Sequence, residues 1–80
     1  MAEERREQSI AAYNRYAALR DERGITDYQV SRDIGVFPST FSNWKCGDYT
    51  PKLNTLLAIA RLFNVSLREL VDISDGEGRG

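Results

Sequence analysis

Residues 38–47 read Pro-Ser-Thr-Phe-Ser-Asn-Trp-Lys-Cys-Gly, which sets Ser39, Thr40, Ser42 and Asn43 around the apolar pair Phe41 and Trp44. The chemistry open to that set is hydrogen bonding, through hydroxyls and one amide that each donate and accept. It is not acid–base or nucleophilic chemistry. The chain has no histidine, so the commonest general base and metal ligand are missing. One thiol, Cys46, leaves almost no means of building a zinc site. No P-loop or dinucleotide glycine pattern occurs, and the tail's Gly-Glu-Gly-Arg-Gly follows no strand and opens no helix. No enzyme, no metal and no cofactor are expected.

The hydrogen-bonding surface needs elements to position it. An apolar helical pattern runs into Gly35, and a second begins only three residues later at Pro38. Ahead of it, Thr26 reads as an N-cap with Gln29 completing a capping box, and Val30 and Ile34 supply a buried stripe beside the small Ser31. Gly35 ends that helix with a positive φ, and Pro38 pre-sets the first turn of the next. Phe41 and Trp44, three apart, belong to its inner face, and Gly47 stops it. So short a connection rules out antiparallel packing and forces a steep crossing, the helix-turn-helix geometry.

The flanks are helical as well. Glu3 to about Arg23 holds no Gly or Pro, with Ile10, Tyr13, Tyr16 or Ala17, and Leu19 or Arg20 near the helical repeat and Gly24 as stop. Thr50-Pro51 is expected to open a fourth helix whose stripe is Leu53, Leu56, Leu57, Ala60 and Phe63. Ser66 and Glu69 form a second capping box before Leu67, Leu70 and Val71. The expected fold is all-α, a compact five-helix bundle. Residues 1–73 form one domain with an extended N-terminal helix, and residues 74–80 a disordered tail.

Composition bounds the class. Eighty residues make one small domain, and 41% apolar with 29% charged residues describes a soluble one. A lone cysteine forms no internal disulfide, no apolar run is long enough to span a bilayer, and Met-Ala-Glu-Glu-Arg-Arg-Glu-Gln lacks a signal peptide's apolar core. A cytoplasmic protein is expected, nucleoid-associated in a prokaryote or phage-infected cell. Asn64-Val65-Ser66 is then a chance sequon.

Residues 24–70, GITDYQVSRDIGVFPSTFSNWKCGDYTPKLNTLLAIARLFNVSLREL, resemble the lambda-repressor-like (Cro-type, XRE) helix-turn-helix family. The correspondence lies in Thr26, Ser31, Gly35, Phe41 and Trp44 in frame, and in Asn-Val-Ser-Leu-Arg-Glu-Leu at 64–70. The resemblance implies a third helix, about 38–46, in the major groove of double-stranded DNA. Base edges would be read by Pro38, Ser39 and Asn43. Thr40 and Ser42 would lie beside them, Asp27 and Gln29 at the start of the second helix, and Lys45, Tyr49, Thr50 and Lys52 along the backbone. Asn suits adenine and Ser or Thr suits either base edge, each good bidentate pair contributing about 1–3 kcal/mol of discrimination. A homodimer on a near-palindromic operator, blocking polymerase as a phage or mobile-element repressor does, is the implied mechanism.

The chain departs from the family pattern at several points. Phe37 stands where a polar N-cap is usual, forgoing about 1 kcal/mol. Pro38 replaces a long polar reader, Asp27 would face phosphate, and the net charge is −1 with a pI near 5.3. Those features favour a rival class, a protein-binding module on the same fold, antitoxin-like or an adaptor, or a regulatory protein partner. For Phe37 the favoured expectation is an aromatic covering the helix junction, and the alternative a contact with a thymine methyl. Cys46 beside Lys45 is expected to be filler rather than a redox switch. Dimer contacts are sought at the N-terminal run Glu3–Gln8 or at Leu70, Val71 and Ile73.

Overall fold

The computed structural model describes residues 2–71, with side chains from Glu4 to Leu70. It contains α1 (Ala2–Glu22), α2 (Asp27–Ile34), α3 (Ser39–Lys45), α4 (Leu53–Phe63) and α5 (Leu67–Val71), with no strand among the described residues. The all-α, five-helix expectation holds. The expected disordered tail and Ile73 lie outside the described residues.

At a rise of about 1.5 Å per residue, the 21 residues of α1 run roughly 31 Å, close to the molecule's 34 Å long axis. Helices α3 and α5 pack directly on this rod, and α2 and α4 pack on each other and on those two. The rod's buried side chains Tyr13, Tyr16 and Leu19 meet Val30 of α2, Phe41 and Trp44 of α3, Ile59, Ala60 and Phe63 of α4, and Leu70 of α5. Tyr16 is the hub: its ring stacks on Trp44 at 5.1 Å, Phe41 at 5.3 Å and Phe63 at 5.8 Å, while Tyr13 meets Trp44 edge-on at 5.5 Å. Such offset and edge contacts add about 0.5–1.5 kcal/mol each beyond area burial. The core therefore fixes α3 from its inner side through two aromatic residues.

Both expected capping boxes are formed. Gln29 N–H donates to Thr26 Oγ1 at 3.1 Å and Thr26 N–H to Gln29 Oε1 at 3.0 Å; Glu69 N–H donates to Ser66 Oγ at 3.1 Å and Ser66 N–H to Glu69 Oε1 at 3.3 Å. Gly35 adopts φ 80°, ψ 37°, which a side chain would strain.

Three expectations are corrected. Thr50-Pro51 does not open α4: the helix starts at Leu53, Lys52 is its cap without a side-chain bond, and Pro51 is buried before it. The inward stripe of α4 is Leu56, Ile59, Ala60 and Phe63, while Leu53 and Leu57 are exposed. A leucine-rich helix carries two overlapping sets at helical spacing, and packing selects the one that joins Phe63 to the aromatic core. Leu70 is wholly buried and unavailable for a dimer patch. Its helix is held against α1, where Arg15 Nε donates to the Glu69 carbonyl at 2.8 Å.

Candidate nucleic-acid interface

The turn between α2 and α3 sets the interface. The amides of Gly35 and Val36 both donate to the Ser31 carbonyl, at 2.9 and 3.0 Å, closing α2 tightly. Pro38 already has helical dihedrals, φ −57° and ψ −29°, so Thr40 N–H reaches the Phe37 carbonyl and Phe41 N–H the Pro38 carbonyl. With Phe41 and Trp44 buried, the opposite face of α3 presents Pro38, Ser39, Ser42 and Asn43 to solvent, with Thr40 half-buried at its edge. Lys45 and Cys46 close the helix, also exposed. The residues expected to read base edges thus share one outward surface.

Phe37 corrects the sequence reading. Its side chain is 80% exposed, so it covers no junction; Val36 takes the place against the core instead.

The first turn of α2 is held by a polar cluster with α1. The Asp27 carboxylate accepts from Tyr13 Oη at 2.6 Å, Tyr16 Oη at 2.7 Å and Arg20 Nη1 at 2.6 Å. Asp27 therefore does not turn a free carboxylate toward phosphate, as the sequence suggested; its charge is engaged from within. Burial alone would raise its pKa, but the hydrogen bonds from Tyr13, Tyr16 and Arg20 and the Arg20 charge outweigh that and hold it below the ordinary value. Burial, then the bond to Asp27, pushes both tyrosine hydroxyls up. Arg20 is penalised by burial, yet its bonds to Asp21, Asp27 and Tyr13 hold its pKa above normal. Gln29 is exposed, with its amide oxygen in the capping box.

The segment after α3 is pinned to the amino-terminal half of α1. Ser9 Oγ donates to the Tyr49 carbonyl at 3.1 Å and accepts from Thr50 Oγ1 at 2.8 Å. Arg6 donates to the Cys46 carbonyl at 3.2 Å and pairs with Asp48 at 3.3 Å. Gly47, at φ 83°, passes so close to α1 that an added Cβ would lie 2.4 Å from Arg6 Cγ. Between these walls lies an open cleft of about 630 Å³, lined by Arg5, Arg6 and Ser9 on one side and Gly47, Asp48, Tyr49 and Thr50 on the other. Of the expected backbone contacts, Lys52 is exposed, Tyr49 is 38% exposed, and Thr50 is exposed with its hydroxyl committed to Ser9. Sequence reasoning missed Ser9 and Arg6. The signal was a small polar residue at 9 on the stripe that continues through Tyr13 and Tyr16.

Among the described residues no helix is long and apolar enough to cross a membrane, and no group of three or more His, Cys, Asp or Glu could hold a metal ion.

A short, capped α2, a left-handed glycine and, four residues on, an α3 with a buried aromatic face and a polar outer face define a helix-turn-helix protein. The helix-turn-helix family model matches residues 17–70, and the chain belongs to the lambda-repressor-like branch of that family, whose members are DNA-binding transcription regulators. The chain is similar, at 35% identity over 57 residues, to the cryptic phage CTXphi transcriptional repressor RstR of Vibrio cholerae. The match takes in 71% of this chain and 51% of that repressor, so the chain spans about half the length of this curated relative. The fold is also that of the SOS-response transcriptional repressor LexA from Eubacterium rectale, in a solution structure. There the TM-score is 0.74 at 22% identity, covering 92% of this chain and 79% of that one.

Proposed function

We propose that the protein is a sequence-specific DNA-binding transcriptional regulator, a repressor of phage or mobile-element type. One observation carries the reading: α3 buries Phe41 and Trp44 and turns Ser39, Ser42 and Asn43 outward from a turn that fixes its angle. In this reading α3 lies in the major groove. Asn43 offers the bidentate amide suited to adenine, and Ser39 bonds a neighbouring base edge, with Pro38 packed beside it. Thr40, Ser42, Gln29, Lys45, Tyr49 and Lys52 set the register along the phosphates, and Thr50, whose hydroxyl is donated to Ser9, holds the segment beside them. The part of Asp27 is to hold the first turn of α2 in place. Two copies would present their third helices to successive major grooves, about 34–36 Å apart, on a near-palindrome in the nucleoid. Occupancy of such a site excludes polymerase.

The test is selection of bound duplexes from a randomised pool at low and near-physiological salt. Recovery of a near-palindrome with half-sites one helical turn apart supports the reading; recovery of nothing by folded protein refutes it. A second reading, a protein-binding module, is favoured by the exposed leucines Leu53 and Leu57, one turn apart on α4. It predicts a complex whose affinity is nearly independent of salt.

A further inference from the structure

We infer that Phe37 reads a thymine methyl group, making one base position in each half-site selective for thymine over bases that lack a 5-methyl. The inference rests on the proposed docking of α3 in a major groove and adds the identity of one base in the site.

Phe37 is the most exposed large apolar side chain among the described residues. Its position is not that of a loose loop residue. Val36, just before it, is tied through its amide to Ser31 and packs against the core. The Phe37 carbonyl accepts the Thr40 amide at 2.9 Å, and Pro38 after it has helical dihedrals. The ring therefore leaves the backbone from a point fixed on both sides, at the amino end of α3, two residues before Ser39. Only rotation about its own side-chain bonds is left to it.

A phenyl ring offers no conventional hydrogen bond, so what it tolerates opposite is decided by desolvation. At a major-groove edge, adenine and guanine present N7 with an amino or carbonyl group, and cytosine presents an amino group. A ring pressed on those groups removes their water and returns no bond. Thymine alone presents an apolar methyl there. Phe37 thus selects by attraction to one base and by exclusion of the others. The Pro38 ring, also exposed, extends the same apolar edge, and the hydrogen-bonding readers begin at Ser39.

The experiment uses the full chain and a duplex recovered from the randomised pool. Each thymidine is replaced in turn by deoxyuridine, which removes the methyl and keeps the pairing, and affinity is read by fluorescence anisotropy. At one thymidine in each half-site, deoxyuridine should weaken the wild-type complex by about fourfold, the worth of one buried methyl. Phe37→Ala should bind the unmodified duplex more weakly and no longer distinguish thymidine from deoxyuridine at that position. Phe37→Leu should keep part of the discrimination. Because the side chain is exposed, these variants should fold, and fluorescence of the buried Trp44 checks that they do. A wild-type series that is flat at every thymidine, or a folded Phe37→Ala that keeps the methyl preference, overturns the inference and leaves DNA binding standing. Recovery of no duplex by folded protein overturns both.

Discussion

Replacing Asp27 by Asn keeps the side chain's shape and removes its charge, so it isolates what the carboxylate does for the seat of α2. The carboxylate accepts three bonds of 2.6–2.7 Å from two tyrosines and an arginine of α1. An amide leaves one acceptor oxygen for three donors. A hydrogen bond to a charged group contributes about 1.5–3 kcal/mol, and breaking a fully buried ion pair costs about 3–5 kcal/mol. The Arg20 and Asp27 side chains keep 17% and 29% of their exposure, so water recovers part of the loss. About 2–3 kcal/mol should remain, or roughly 8–24 °C in Tm for a domain of this size. Urea unfolding followed by Trp44 fluorescence measures it. The sign of the pH dependence is set by the lowered Asp27 pKa. The carboxylate's contribution is complete above the unfolded value of about 3.9 and is lost as pH falls through the lower folded value. The gap between wild type and Asp27→Asn should therefore be full near neutrality and narrow in acid. Other carboxylates are common to both proteins and cancel. A gap below about 0.5 kcal/mol at neutral pH, or one unchanged down to about pH 2, refutes the reasoning.

Gly35→Ala meets no atom within 4 Å and carries only the left-handed backbone penalty, about 1–2 kcal/mol by denaturation. Gly47→Ala carries the same penalty plus a Cβ 2.4 Å from Arg6 Cγ and 3.1 Å from Ile10, so it should cost more, and Arg6→Ala should remove part of the excess. Ser9→Ala deletes one donor and one acceptor that pin Tyr49 and Thr50, worth about 1–2 kcal/mol together, and should weaken binding to all duplexes alike. Asn43→Ala should relax preference at one base position by about 1–3 kcal/mol while leaving unfolding unchanged, read by repeated selection and by melting.

How far the sequence announces this architecture depends on how local the cause is. The two capping boxes, the left-handed Gly35, the inward Phe41 and Trp44, and the outward face of α3 follow from spacing within a few residues, and all are legible. The side of α4 that turns inward is not. Leu53, Leu56 and Leu57 compete on equal terms with Ile59 until Tyr16 is placed, and Tyr16 comes from a helix some forty residues away. Asp27 is similar. Read along the chain it is an acid at a helix start, stabilised by the dipole and free to meet solvent. Only across α1 do Tyr13, Tyr16 and Arg20, at helical spacing on one face, become its partners. Phe37 is illegible for the opposite reason: burial is the common fate of an aromatic, and Val36 fills the available place.

The acidic balance of the chain does not carry over to the face proposed to meet DNA. The arginines of α1 and the one that follows it engage several of the acids: Arg20 holds Asp21 and Asp27, Arg6 holds Asp48, and Arg23 lies 3.8 Å from Glu22. Glu69 is committed to its capping box. Both lysines of the chain, Lys45 at the end of α3 and Lys52 at the cap of α4, are exposed and without an ion pair among the described residues. Screening confines the influence of exposed charge to about 10 Å at 0.1 M salt, so the local pair outweighs the distant sum. If each lysine neutralises one phosphate, a dimer should lose affinity with a log–log salt slope of about −4, from about −0.9 per phosphate over four lysines. Lys52→Ala in both copies should flatten it by about 2. A slope near zero would move the α3 face to a protein partner. A slope much steeper than this would bring in the remaining exposed cations of the cleft, Arg5 first.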